Sequence, residues 1–545
     1  MLKTKFLCTA ILILLPPSGF AQDIPKDLDK ILILNVTVID QTKKSADVVV
    51  SILIKQKKLE LVSRDKIALS EADIAFDASG GFILGRLEVG SLAGFIILNQ
   101  NPRTHVDIML DTKSHAIFAV SKGEVVLNKL IRIDADPSEK GSGWRSYAPP
   151  PIALPISYQN RRKWNVFRTK PATAVLFGAI VMENTRWLSS DSTNKAQVGD
   201  LSEFEGGSIR GFRAGVAGTF NFATPWTYII TFATQAFERG FEQGELDELL
   251  LFEYRVDIPI GNARLSLGKQ RETISSQRLT ALAYLPSQQE RASVADGLLP
   301  SRNFGIVYNN SSIKDRVTWA AGIFNNWFND GRSFSESPTV FTARISGLPF
   351  ISSDGSNLLH LAIAGRYSNA AGGIRYKAKT EIFRGPTSVD TGLLEDTESS
   401  FHLGLEAAWR RRSFILSGEY LQSAVSSTFY KDPTFKGYYV VASYVLSGEM
   451  RPYNKRSGIF NRIDVANEVT SGGWGAWDIY GRWSSIDLTA GAVNGGVMNT
   501  LSLGLNWWPV AAVQANVNYR YSTLDRSGEK GSNHGVVSRL VFFLE

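Results

Sequence analysis

The feature that most constrains this chain is a strict two-residue alternation through its last two-thirds. In "RGFRAGVAGTFNF", one face carries Phe212, Ala214, Val216, Gly218, Phe220 and Phe222, and the other carries Arg213, Gly215, Ala217, Thr219 and Asn221. "FHLGLEAAWR" sets Phe401, Leu403, Leu405, Ala407 and Trp409 against His402, Gly404, Glu406, Ala408 and Arg410. "TLSLGLNW" and "VQANVNYRYS" repeat the pattern, the latter with Gln514, Asn516, Asn518, Arg520 and Ser522 on its polar side. Successive side chains of a strand point to opposite faces, so each segment predicts a strand with one apolar and one polar face.

A soluble antiparallel sheet with one wet face satisfies that pattern. Three features favour a membrane barrel instead. The polar face is built of Gly, Ser, Asn and Arg, which suit a water-filled interior. Aromatics recur near segment ends, as in "NNWFNDG", "NWWP" and "YYVVASY". Tight turns alternate with long polar connections such as "SSDSTNKAQVGDLSEFEGGS". Hydrocarbon cannot satisfy the N–H and C=O groups of an open sheet edge, so a lipid-facing sheet must close. Residues 165–545 number 381. At about 24 residues per strand with its connection, they predict about sixteen strands, within the range of outer-membrane barrels.

Composition narrows the alternatives. Aromatics at 11% and apolar residues at 44% exclude an intrinsically disordered chain. A single cysteine, Cys8, excludes a disulfide scaffold. Mean hydropathy is −0.07. No stretch beyond the N-terminus offers the ~18 apolar residues of a spanning helix. Residues 1–21 read as a signal peptide: Lys3 and Lys5, an apolar run from Phe6 to Leu15, then Gly19 and Ala21 before a cut at Gln22. Residues 22–133 are rich in Ile, Val, Leu and Lys, and residues 134–164 form a Pro-rich linker containing "APPPIALP". The expected fold is therefore all-β: an outer-membrane antiparallel barrel of about sixteen strands over 165–545, preceded by a smaller unit over 22–133.

Residues 165–545 resemble the phosphate-selective porin O and P family. The stretches that carry the resemblance are "LGKQRETISSQRLTALAYLPSQQERASVADGLLPSRNFGIVY", "WAAGIFNNW", "GYYVVASYVLSGEMRPYN", "GAWDIYGRWSSIDL", "GLNWWP" and "NVNYRYS". The resemblance implies a homotrimeric porin in the outer membrane of a Gram-negative bacterium, with an anion-conducting pore narrowed by Arg and Lys. Residues 22–133 resemble the two β-sandwich portions of the amidohydrolase superfamily, through "ILILNVTVID", "ADVVVSILIKQKKLELVS", "IAFDASGGFIL", "GRLEVGSLAGFIILNQNP" and "IFAVSKGEVV". The metal-binding β/α barrel that separates these portions in that family is missing between Leu84 and Gly85, so the resemblance implies a small periplasmic β-sandwich without the catalytic barrel.

Amidohydrolase chemistry needs His and carboxylate ligands to hold a metal and activate water. The five histidines, His105, His115, His360, His402 and His534, form neither an HxH nor an i, i+4 pair. Residues 22–133 are also too few for a β/α barrel of about 250 residues. Asp40 and Asp77 read as turn or cap residues. No catalytic residue, metal ligand or cofactor is expected, and the chain reads as a channel rather than an enzyme. An exported hydrolase fused to a barrel, and an N-terminal module that binds a periplasmic partner, are the competing readings. Nucleic-acid binding is not expected of an exported chain without a reader motif.

An anion in a narrow passage must exchange hydration for fixed donors, and the planar fork of Arg matches an oxyanion. The expected partners are thus outer-membrane lipid outside and permeant anions such as phosphate inside. Candidate pore-lining arginines on the polar strand faces are Arg213, Arg264, Arg366, Arg410, Arg482 and Arg520. Arg278, Arg291 and Arg302 lie in the long stretch "SSQRLTALAYLPSQQERASVADGLLPSR", which predicts a loop folded inward as a constriction. In "AWRRRS", the run Arg410, Arg411 and Arg412 reads as a strand end or turn at the membrane surface.

Overall fold

The computed structural model describes residues 30–39, 48–133 and 165–544, less 65–66, 68–71, 79–80, 86, 106–107, 109–110, 129, 170, 223, 235–249, 288, 313–315, 327–332, 334, 336, 353–354 and 371. The expected signal peptide, Asp40 and the Pro-rich linker lie outside the described residues. The described chain divides into two compact units, one before the linker and one after it.

The first unit is a mixed sheet of β1 (Lys30–Val38), β2 (Val48–Lys55), β3 (Lys58–Ser63), β4 (Ile74–Asp77), β5 (Phe82–Gly85), β6 (Phe95–Leu98), β7 (Ala116–Ser121), β8 (Glu124–Asn128) and β9 (Ile131–Ile133). Strand β1 pairs antiparallel with β2 along one edge. Along the other edge it takes two parallel partners in turn, β4 at Ile31–Leu34 and β5 at Thr37–Val38. The switch coincides with a bulge, where Asn35 adopts φ 58° and donates its side-chain amide to Asp77 at 3.0 Å. Asn tolerates this left-handed conformation because its short polar side chain bonds locally. Asp77, expected at a turn or cap, is instead the last residue of β4 and ties that strand to the β1 bulge. Ile33, Ile52, Phe76, Phe95, Ile97 and Phe118 share one core. Leu32 and Leu34 bury on the opposite side with Leu53 and Ile67. Cover on both faces explains why "ILIL" is continuously apolar rather than alternating.

The second unit is a barrel. Its strands are β10 (Val166–Arg168), β11 (Ala172–Ser190), β12 (Gly206–Phe220), β13 (Trp226–Ala233), β14 (Leu250–Ile260), β15 (Ala263–Gln270), β16 (Asn303–Ser312), β17 (Val317–Asn325), β18 (Thr339–Ile351), β19 (Asn357–Asn369), β22 (Ser399–Arg411), β23 (Phe414–Ser426), β24 (Thr434–Val445), β27 (Ala476–Ala490), β28 (Val493–Val510), β29 (Val513–Arg526) and β30 (Glu529–Leu544). Short hairpins β20 (Lys377–Lys379) with β21 (Thr387–Asp390), and β25 (Tyr453–Asn454) with β26 (Ile459–Phe460), sit in the connections. Each wall strand is antiparallel to the next, and β11 closes onto β30 from Gly178↔Leu544 to Ser190↔Asn533. The three-residue β10 lies against β11 only, which leaves sixteen strands in the closed ring.

The alternation read from the sequence sorts the faces. Phe341, Ile345, Ile363, Phe401, Trp409, Tyr438, Trp483 and Leu503 are exposed on the outer wall. His402, Glu406, Arg410, Asn516, Asn518 and Arg520 are buried inside. So large an exposed apolar band fits hydrocarbon, not water. No helix among the described residues is long and apolar enough to cross a membrane. One rim bears the connections 191–205, 234–249, 271–302, 326–338 and 370–398. The opposite rim bears turns of two to five residues, such as 261–262 and 511–512, and one long connection, 446–475.

The inner face departs from expectation in one sector. Leu421, Val425, Phe435, Val441, Ile486, Leu488, Met498 and Leu524 point inward although the lumen was expected to be polar. They form one cluster with Val294, Ala295, Leu298 and Leu299 of the connection 271–302 and with Tyr376, Ala378, Val389 and Leu394 of the connection 370–398. The wall is apolar where a folded-in loop, not water, covers it.

Candidate functional site: the loop-filled lumen

The connection 271–302 leaves β15, crosses the interior and returns in β16. It carries two short helices, Ser276–Leu279 and Ser293–Leu298. Distant strands hold it. Glu419 of β23 accepts from the Ser276 hydroxyl and from the Gln277 amide at 2.8 Å. Gln289 donates to Asn516 of β29 at 2.6 Å and to the Val537 carbonyl of β30 at 3.2 Å. Two candidate arginines brace the loop against itself. Arg278 donates to the carbonyls of Ala295 at 2.9 Å and Leu299 at 2.6 Å and pairs with Asp296 at 3.1 Å. Arg291 donates to the carbonyls of Gln277 at 2.7 Å and Thr280 at 2.9 Å.

Five arginines gather at the β12–β15 wall, around a bulge. Thr231 of β13 pairs with Glu253 while Phe232 pairs with Leu251, so Phe252 is the extra residue. Phe252 and Glu253 are consequently both buried inside. The Arg213 and Arg302 guanidinium groups stack on the Phe252 ring, 4.4 and 3.7 Å from its centroid. Arg302 also pairs with Glu253 at 2.8 Å. Arg255 reaches Glu253 at 3.3 Å and Asp257 at 3.2 Å, and Arg264 lies 3.6 Å from Asp257. Arg271, which donates to the Leu279 carbonyl at 2.7 Å, interacts electrostatically with Arg302 and Glu253. Five guanidinium groups thus gather around Glu253 and Asp257, with Glu290 also acting on Arg213.

Elsewhere the charges are closer to balance. Arg210 and Arg539 meet Glu290 at 2.8 and 2.6 Å, and Arg539 also binds Glu183. Arg366 pairs with Glu272 at 2.5 Å. Arg482 and Arg520 converge on Glu381, in the connection 370–398. Near the opposite rim, Arg410 donates to the Arg451 carbonyl at 2.8 Å and to that of Gly355. Arg451 pairs with Asp478 at 2.7 Å and donates to the Tyr284 carbonyl at 2.9 Å. Arg344 binds Glu406 at 2.7 Å and the Gly458 carbonyl at 3.0 Å, while His360 meets Tyr453 at 2.7 Å. The connection 446–475 therefore also folds into the lumen, from the other end.

The nine candidate arginines accordingly do different things. Arg213, Arg264 and Arg302 meet on one wall, Arg482 and Arg520 on another. Arg366 and Arg410 hold connections in place, and Arg278 and Arg291 shape the inner loop. Sequence reasoning missed Arg255, Arg271, Arg344 and Arg451. Arg255 was legible: "EYRVD" places it at the same parity as Glu253 and Asp257. Among the described residues, no group of three or more His, Cys, Asp or Glu could hold a metal ion. On the rim of long connections, Asp191 caps the helix Ser192–Val198. It accepts from the Asn194 amide at 2.7 Å and from the Ser532 amide and hydroxyl at 2.7 and 2.8 Å. The Asn194 bond, then those of Ser532, hold its carboxyl below the usual range.

A closed sixteen-stranded cylinder, greasy outside and narrowed inside by connections from both rims, is an outer-membrane β-barrel of the porin type. The family model for the phosphate-selective porin O and P family matches residues 186–543, and the chain belongs to that family. It is 29% identical over 153 residues to Porin O of Pseudomonas aeruginosa, covering 26% of this chain and 34% of that protein. It is 27% identical over 185 residues to an uncharacterized protein of Caulobacter vibrioides, covering 33% of this chain and 37% of that one. The chain thus spans about a third of the length of these curated relatives. Among solved structures it is similar to an anion-selective porin from Comamonas acidovorans, with a TM-score of 0.43 and 13% identity, covering 68% of this chain and 100% of the other. It is similar also to OmpT of Vibrio cholerae, with a TM-score of 0.43 and 10% identity, covering 69% and 99%.

Proposed function

We propose that the barrel is an anion-preferring diffusion channel of the outer membrane, with phosphate or polyphosphate among its solutes. The observation that carries this reading is the β12–β15 wall, where Arg213, Arg255, Arg264, Arg271 and Arg302 gather around Glu253 and Asp257. A local surplus of guanidinium charge in a water-poor passage attracts anions and offers them the donors they lose from hydration. The name of the family favours phosphate among anions.

In this reading the chain is not an enzyme. It assembles as the homotrimer the family resemblance implies, and residues 22–133 form a periplasmic module joined by the linker 134–164. Planar-bilayer recording of the purified protein across a KCl gradient tests the channel. An anion-sign reversal potential is expected, with phosphate lowering the chloride current; a cation-sign potential rejects the reading. Deleting residues 22–160 is expected to leave conductance intact if the module recruits a periplasmic partner. A large change in conductance assigns it a gating role instead.

A further inference from the structure

On the outer wall, the apolar band ends along one line across β11, β30 and β29. Outward positions of β11 run Leu176, Gly178, Ile180 and Met182, then Asn184 and Arg186. Those of β30, read toward the same rim, run Phe542 and Leu540, then Ser538, Val536 and His534. Those of β29 run Ala515 and Val517, then Tyr519 and Tyr521. In register, Asn184 stands opposite Ser538, and Arg186 and Tyr519 flank Val536. This rim bears the long connections, which in such barrels face the cell exterior, so the line marks the hydrocarbon boundary of the outer leaflet.

A bulge in β11 adds a polar group there. Trp187 pairs with Gly535 and Ser189 with His534, so Leu188 is the extra residue and Ser189 turns outward. The Ser189 hydroxyl meets His534 Nε2 at 2.6 Å, and the Tyr519 hydroxyl meets Nδ1 at 3.1 Å. The rings of Tyr519 and Tyr521 both stand edge-on to the imidazole. These contacts fix a small polar patch on the wall itself. Arg186 is exposed beside it, the diagonal neighbour of His534 across the β11–β30 pair.

The Arg186 charge is unanswered. Lys436, an outward lysine of β24 near the same rim, has Asp487 directly opposite it. Arg186 has Val536 opposite it and makes no ion pair among the described residues. Glu205, just before β12, is engaged by the Trp187 amide at 2.8 Å.

We propose that this patch docks the phosphate of an outer-leaflet lipid. Arg186 offers a planar fork to two phosphate oxygens, with the Ser189 hydroxyl beside it as a further donor. The acyl chains run down over Ile180, Met182 and Phe542, which are exposed below the line. A free phosphate ion gains nothing from that apolar half of the contact. The inference concerns the lipid face and stands apart from the anion-channel reading.

Native mass spectrometry of the full chain in neutral detergent tests it, with dioctanoyl phosphatidic acid titrated in the presence of excess inorganic phosphate. At least one lipid per protomer is expected to stay bound. Arg186→Gln is expected to raise the half-saturating lipid concentration about tenfold, the loss of one charge-assisted contact, with chloride conductance unchanged. Equal saturation of the two proteins overturns the proposal. So does displacement of the lipid by free phosphate, which places it among lumenal donors. If Arg186→Gln does not assemble, Ser189→Ala removes one hydroxyl only, and a severalfold rise is then required. A variant that separates into single barrels with lipid binding intact assigns the patch to a neighbouring copy and overturns the proposal.

Discussion

Two sectors of the same lumen differ in what they do with their inward side chains. The β12–β15 wall holds arginines around a bulge and two carboxylates. The β23–β28 wall, at the rim of long connections, presents Leu421, Val425, Phe435, Val441, Ile486 and Met498 to the inner loop. The first sector keeps charge concentrated, and the second removes water and anchors the loop. Hydrophobic burial is non-directional and tolerates the irregular backbone of a loop, whereas ion selection needs directed donors. The same loop thus meets one wall through apolar packing and the other through Arg271 and Arg302.

Breaking the anchor should have the largest effect. Leu298→Asp places a charge in the cluster of Val294, Leu299, Ile486 and Met498. The cost of burying it unpaired is several kcal/mol, so the loop should leave the wall. Single-channel conductance is expected to rise severalfold with selectivity weakened. A barrel that assembles with unaltered conductance would mean that the apolar wall does not position the loop.

Next come the charges. Arg302→Gln removes the 2.8 Å partner of Glu253 and one of the two guanidinium groups on Phe252. Leaving a buried carboxylate short of a partner typically costs about 3–5 kcal/mol, reduced here because Arg255 remains. The reversal potential in a KCl gradient is expected to move toward the cation side. Glu253→Gln should move it the opposite way, and by less, since the arginines already prevail there. If both variants shift in the same direction, the contrast between the walls is not electrostatic.

The smallest effect belongs to the rim. Asp191→Ala removes the cap of Ser192–Val198 and its bonds to Ser532. Losing such a cap costs about 0.5–2 kcal/mol. A small fall in thermal stability with unchanged conductance is expected. Because its carboxyl is held below the usual range, its contribution is complete above the carboxylate's unfolded value and fades as pH falls through the folded one. The Asp191→Ala penalty should therefore shrink in acid, which melting curves of both proteins across pH 2–5 would register.

The architecture was legible because alternation is a property of each strand alone. "FHLGLEAAWR" and "VQANVNYRYS" sort outward and inward as their parity requires. The long stretch after β15 was also recognisable as an inner loop, because no hairpin needs so many residues. What parity could not supply was the partner of each inward side chain. Arg278 and Arg291 resemble pore cations in the sequence, yet each is spent on carbonyls of its own loop. Phe252 breaks the alternation by a bulge, which brings Glu253 inside with it. The apolar inward positions of β24 sit in "YYVVASYV", where outward Val440 and inward Val441 are chemically identical. Only knowledge of what the loop covers separates them.

Arg451 and Tyr284 meet although they stand 167 positions apart and belong to connections that enter from opposite mouths. Such a handshake cannot form one hairpin at a time. That one contact can form only after the wall has brought both mouths into register, and its closure spans a long stretch of chain. Without that contact the middle of the lumen would lose the hydrogen bond that bridges its two plugs.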